Sequence, residues 1–261
     1  MKMDDLLKSN IIKWFRAGKR YDGRVLDEFR PVSIEYGVTK NAEGSARVKI
    51  GNTEVIAGVK LSVEKPYPDT PDSGNLMVGA ELLPLSSPDF EAGPPNEESI
   101  EVARVVDRGL RESKALDTKK LCLVAGEKVW SVSIDVCTIN SDGNLLDAAA
   151  LAAIAAIKDA KFPEYDGKAV DYKHLSDKRL PLLRTPVSIT VHKIGEFLFV
   201  DPSVDEETVI DARLTVAMTP DGRICALQKG GSSPLSIDDI GRMIDLATVK
   251  AQEIGSKVKQ G

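Results

Sequence analysis

The sequence predicts an α+β protein of two similar halves preceded by a helical arm, and three observations predict it. Several short runs rich in β-branched residues lead into an alanine-rich helical stretch, and a shorter set of the same kind leads into a second helix near the end. Asp142-Gly143 and Asp221-Gly222 supply turn signals at the boundaries of these runs. Ahead of both halves lies a segment whose apolar residues recur at helical spacing.

In chain order, Asp4 to Gly18 carries Leu7, Ile11, Trp14 and Phe15 on one side of a helix, with Gly18 near its end. Arg20-Tyr21-Asp22-Gly23-Arg24 is a turn flanked by bases. Strands are expected at Pro31 to Tyr36, Ser45 to Ile50 and Glu54 to Leu61. Glu64 to Gly74 contains three prolines, which cannot donate ladder hydrogen bonds, so it is a loop. The apolar run Leu76 to Leu85 leads through a proline-rich loop into a helix. Lys128 to Ile139 alternates as a strand, and the helix beginning at Leu145 has small side chains that permit close packing on a sheet. Lys158 to Arg184 is charged and irregular and reads as a linker. Beyond it, Val187 to His192, Glu196 to Val200, Val209 to Met218 and Arg223 to Lys229 read as strands, and Ile237 to Ile254 as a closing helix.

Pro94 to Lys114 is the stretch with the most chemistry in it. Asn96 is placed as an N-cap, and Glu97 and Glu98 complement the helix dipole in the first turn. Val102, Val106 and Leu110 form an apolar stripe, while Arg104, Arg108 and Arg111 share the opposite face. A row of guanidinium groups suits a polyanion. Each arginine also has a helical partner within reach: Glu101 for Arg104, Glu112 for Arg108 and Asp107 for Arg111. Spacing alone therefore favours a solvated face of salt bridges over a nucleic-acid site.

Composition is that of an ordinary globular protein, and the net charge of −5 excludes a chain that attracts nucleic acid through its overall charge. Nucleic-acid binding has to come from a local basic strip or from neighbouring subunits. Cys122, Cys137 and Cys225 lie in strand-like runs without metal-ligand spacing and read as reduced core residues of a cytoplasmic protein. No secretory signal or membrane span is expected; the apolar Leu145 to Ile157 is short for a bilayer.

The residues themselves carry a family resemblance. Arg20-Tyr21-Asp22-Gly23-Arg24 with Phe29-Arg30-Pro31 resembles the entrance motif of the ribonuclease PH family. Ala103 to Lys114 and Ser141 to Ala148 are similar to the non-catalytic ribonuclease-PH-like subunit of the archaeal exosome ring, and agreement runs from about Ile12 to the closing helix. The resemblance implies a ribonuclease-PH-like α+β fold of two βαβα-type halves. On it, residues 1–24 are an N-terminal helix and entrance motif, 25–162 the first half, 163–185 a linker and 186–261 the second half with its closing helix. It further implies a hetero-hexameric ring in which this chain alternates with a catalytic relative. The ring degrades single-stranded RNA from its 3′ end by phosphorolysis, with tailing as the reverse reaction, under a cap of S1-, KH- or zinc-ribbon-bearing subunits.

Departures from the active members narrow the expectation. Where they carry a phosphate-gripping turn, this chain has Gly143-Asn144-Leu145-Leu146, without a hydroxyl or a cation, so a phosphate would meet two leucines. Aligning Asp211 to Ala217 on the family's carboxylate motif puts Glu207 at the first carboxylate and Arg213 at the second. Arginine can neither ligate Mg²⁺ nor serve as a general acid near neutral pH. No catalytic residue, metal ligand or cofactor is therefore expected. The family's RNA-holding arginine pair maps onto Arg104 and Arg108, which reverses the preference drawn from spacing; Arg111 stays undecided, since Asp107 could claim it. His174 and His192 are read as structural or surface residues. The alternative is a free-standing metal-dependent ribonuclease or phosphorolase using Glu207 with Asp205, Glu206 and Asp211, and the blander reading of that cluster is a charged turn.

Overall fold

A computed structural model describes residues 3–258, so the first two and last three residues of the expected outer segments lie outside it. The amphipathic arm is α1 (Met3–Arg16). The first half follows as β1 (Val32–Tyr36), β2 (Gly44–Ile50), β3 (Thr53–Glu64), β4 (Asn75–Glu81), α2 (Glu97–Glu112), β5 (Cys122–Val124), β6 (Lys128–Asn140) and α3 (Leu145–Asp159). A hairpin, β7 (Lys161–Tyr165) and β8 (Val170–Arg179), leads to the second half: β9 (Val187–Ile194), β10 (Phe197–Val200), α4 (Val204–Thr208), β11 (Ala212–Met218), β12 (Ile224–Gly230) and α5 (Ile237–Gly255). Each half thus runs strands, helix, strands, helix.

The larger sheet has the order β1-β2-β3-β6-β4, with β5 also on β6, and only the β4–β6 pair is parallel. The smaller has the order β10-β9-β11-β12 and is antiparallel throughout. Helices α2 and α3 lie between the two sheets, and α5 packs on β9 and β11. Helix α3 is apolar nearly all round because it touches both sheets, and its alanines other than the partly buried Ala150 are fully buried. A Cβ on Gly44 would sit 2.4 Å from the Ala160 backbone, so glycine is what lets β2 approach the end of this helix. Strand β9 is buried on both faces, between α3 and α5, although its sequence alternates Val187, Ile189 and Val191 with Ser188, Thr190 and His192; Thr190 is satisfied there by Asp147 and Thr215.

Two expectations need correction. The stretch 163–185 is not an irregular linker, because most of it belongs to the β7–β8 ladder. That ladder hides from hydrophobic patterning, since β8 is charged and largely exposed along its length. It is anchored by Trp130 of β6, whose ring lies 5.3 Å from Phe162 and 5.7 Å from Tyr165. The cysteines are half-buried rather than in the core. Cys137, for example, shares the outward face of β6 with Ser133 and exposed Asp135, while Val136 and Ile134 point inward.

Candidate nucleic-acid interface

Helix α2 begins where the sequence says it should. Asn96 caps it, its side chain accepting from the Ser99 N–H at 2.9 Å, and Val102, Val105, Val106, Gly109 and Leu110 are buried between the sheets. The outward face carries the arginines, but not with the partners their spacing offers. Only Arg111 has its helical neighbour, donating to both Asp107 carboxylate oxygens at 3.1 and 2.7 Å and to the Leu76 carbonyl at 2.9 Å. Glu101 turns away from Arg104 and accepts instead from Arg213 of β11 at 2.6 Å. Arg108 is exposed and donates to the neutral amide oxygen of Gln228 at 3.1 Å. Arg104 is exposed and makes no hydrogen bond or ion pair among the described residues. Two guanidinium groups one helical turn apart thus face outward with no carboxylate neutralising them.

At the amino-terminal end of α2 a cavity of about 240 Å³ opens. Glu207, Arg213, Leu145 and Leu146 line it together, so the fold converges the positions aligned with the catalytic carboxylates and with the phosphate turn. Glu207, on the one-turn helix α4, reaches across so that its carboxylate accepts the Asn144 N–H at 2.8 Å. Asn144 caps α3 in a left-handed conformation, behind Gly143, where a Cβ would lie 2.4 Å from the Pro202 carbonyl. The amide at the head of α3, the natural seat for an anion, is therefore occupied by the chain's own carboxylate. Burial pushes Glu207 up to about 7 against the opposing Asn144 hydrogen bond and the charge of Arg213. Glu98, on the same wall, is also raised by burial. His192 of β9 is buried and lines the cavity, and burial lowers it to about 3, so its imidazole is neutral.

The acidic run 205–211 disperses rather than converging. Glu206 is buried against Arg20, Glu207 caps α3, and Asp211 accepts from Lys8 and from the Gly195 N–H. Among the described residues, no group of three or more histidine, cysteine, aspartate or glutamate side chains is placed to hold a metal ion. Expecting a charged turn there missed α4, which has a capping box on Ser203.

Sequence reading also missed what the entrance motif does. Arg20 is 1% exposed, donates to Glu206 Oε1 at 2.9 Å and satisfies the carbonyls of Val200 and Asp201. Arg24 and Arg30 both bind the buried Asp201 carboxylate at 2.7 Å, and Asn144 donates at 2.9 Å to Oδ1, the oxygen it shares with Arg30. Burial would raise Asp201, but the Arg30 hydrogen bond and the two positive charges hold it below its ordinary value. The signal was there in the three arginines around an Asp-Gly turn; their partners, more than 170 residues away, were not visible.

Comparison with known proteins follows the same lines. Residues 28–163 match domain 1 and residues 184–250 match domain 2 of the 3′ exoribonuclease family (RNase PH). An exosome complex component Rrp42 from Methanocella arvoryzae is 49% identical over 98% of this chain and 96% of its own length. The component of that name from Methanothermobacter thermautotrophicus is 44% identical over 97% and 95%. Among solved structures, a chain of the Archaeoglobus fulgidus exosome with RNA bound to the active site superposes with a TM-score of 0.92 at 45% identity, covering 98% of this chain and 99% of that one. Rice Rrp46, 19% identical with a TM-score of 0.68, shares the fold. The chain belongs to the 3′ exoribonuclease (RNase PH) family. Within that family it falls with the exosome components called Rrp42, ribonuclease-PH-like subunits of the archaeal exosome core. Among the described residues no helix is long and apolar enough to cross a membrane.

Proposed function

We propose that this chain is a ring subunit that grips RNA for a catalytic ribonuclease-PH-like partner in the cytoplasm and does not cut RNA by itself. The observation that carries this reading is the division of labour along α2. Glu101 is turned inward onto Arg213, while Arg104 and Arg108 stay outward without carboxylate partners. Phosphate oxygens of a single strand supply what that pair lacks, and contacts of this kind are indifferent to base sequence and sensitive to salt. The cavity beside it is built against phosphorolysis: inorganic phosphate finds the Asn144 amide engaged by Glu207, and Arg213 stands where a second carboxylate would be needed. The partner therefore supplies the phosphate site and the carboxylates, in an alternating hetero-hexamer, for 3′ to 5′ decay and the reverse tailing reaction. Caps with S1, KH or zinc-ribbon modules complete one face.

The test is co-expression with the catalytic partner, followed by phosphate-dependent decay and RNA-binding assays. The chain alone should release no nucleoside diphosphate. Arg104→Ala/Arg108→Ala should leave ring assembly intact, weaken RNA binding, and reduce the slope of log affinity against log salt by about 1.4, for two contacts on a single strand. Unchanged RNA affinity in the assembled double variant removes the role given to the pair. Nucleotide release by the pure chain, lost in Glu207→Gln, would instead establish the free-standing enzyme.

A further inference from the structure

The far end of α2 carries a second set of groups that fit the same ligand. The helix stops at Ser113, and the chain leaves through Lys114, whose φ of 53° lies in the left-handed region where glycine is usual. The turn is closed by the Lys114 N–H on the Arg111 carbonyl and the Ala115 N–H on the Leu110 carbonyl, both at 3.0 Å. A lysine at this position is conformationally costly, and its exposed side chain forms no ion pair among the described residues. Beside it is a cavity of about 190 Å³ bordered by Tyr67, Thr70, Ser73 and Arg111. Tyr67 is 48% exposed, and Pro66 and Pro68 on either side restrict the backbone that presents the ring. Arg111, held at three points by Asp107 and Leu76, is fixed in place as a planar wall rather than free to follow a phosphate. Of the nearby acids, Asp107 is engaged by Arg111 and Asp72 lies 3.6 Å from Lys119, while exposed Glu112 has no ion pair among the described residues.

We propose that Tyr67, Arg111 and Lys114 form a stacking subsite for one base of single-stranded RNA, on the 5′ side of the nucleotides held by Arg104 and Arg108. The inference rests on the RNA reading above and extends it to a further, unassigned site. Lys114 follows Arg104 by ten residues, all but the last two in α2, which sets them about 15 Å apart along the axis. A strand held by Arg104 and Arg108 with its 3′ end in the partner's active site continues along the same face of α2 to Arg111 and Tyr67. There an aromatic ring takes the face of any base, and Lys114 takes the adjoining phosphate. The subsite discriminates by strand length rather than by sequence.

The experiment uses the assembled ring and two synthetic RNAs, one long enough only for the Arg104/Arg108 site and one extended on its 5′ side. Tyr67→Ala should weaken the longer RNA about tenfold and leave the shorter unchanged, while Tyr67→Phe should bind like wild type. Lys114→Gly, which suits the left-handed backbone, should fold normally and lower the salt slope for the longer RNA alone by about 0.7. RNA carrying 5-iodouridine at the upstream position should cross-link to Tyr67. Wild-type binding of the longer RNA by Tyr67→Ala, or equal weakening of both RNAs, overturns the subsite. Loss of both RNAs in the Arg104/Arg108 variant, with Tyr67→Ala silent, leaves the main reading standing and removes only this one. The reverse pattern removes the arginine pair and keeps the stacking site.

Discussion

Glu207 shows how one half-buried carboxyl can both close a site and set a pH response. Its ordinary value is 4.5 and burial raises it to about 7, so the folded chain keeps a proton that the unfolded chain has released. Stability from this group is thus greatest below the ordinary value, falls as pH rises, and levels off above the folded value. Between about pH 5 and about pH 8 the loss is on the order of 2–3 kcal/mol. Glu207→Gln keeps an acceptor for the Asn144 N–H and removes the titration. We expect the wild type to lose clearly more stability than the variant over that range, measured by denaturant unfolding of the purified chain. Glu98, raised for the same reason, leaves a smaller remainder in both. Equal pH profiles would mean that Glu207 is not held protonated by burial.

Helix α2 shows what is legible at the scale of an element. Its cap, apolar stripe and cationic face are local patterns, and all were readable from the sequence. Asn96→Ala removes the side-chain acceptor for the Ser99 N–H and should cost about 1 kcal/mol, seen as a lower unfolding midpoint with the helix still formed. What periodicity could not decide was which carboxylate takes which arginine. Three helical pairs were available and one formed, because Arg213, 112 residues beyond Glu101, competes for it from the neighbouring sheet. The same limit hid other features. Strand β8 has no apolar face to betray it, and α4 is one turn long, below the length at which a helical period can be counted. The cavity behind α2 draws its walls from both halves, so no window of sequence contains it. Family resemblance supplied Glu207 and Arg213 as aligned positions, but not the contact of Glu207 with the head of α3.

On the scale of the whole molecule, the question is what joins the arm to a second half nearly two hundred residues later. Phe15 of α1 packs on Phe197 and Phe199 at 5.8 and 5.1 Å, and Lys8 pairs with Asp211. The strongest tie is Arg20 on Glu206, both buried, with Glu206 also accepting the Ser203 N–H at 2.8 Å. A buried pair of this kind contributes modestly as a pair but dearly when halved, since the survivor remains charged and without a counter-ion. Arg20→Leu should therefore cost about 3–5 kcal/mol. Adding Glu206→Gln removes the stranded charge while keeping an oxygen for Ser203, so the double variant should be more stable than Arg20→Leu alone. A double-mutant cycle on unfolding midpoints measures the coupling directly. Simple additivity would show that the arm is held by its aromatic contacts instead, and that the buried arginine only fills space over the Phe199 ring, 5.5 Å from its centroid.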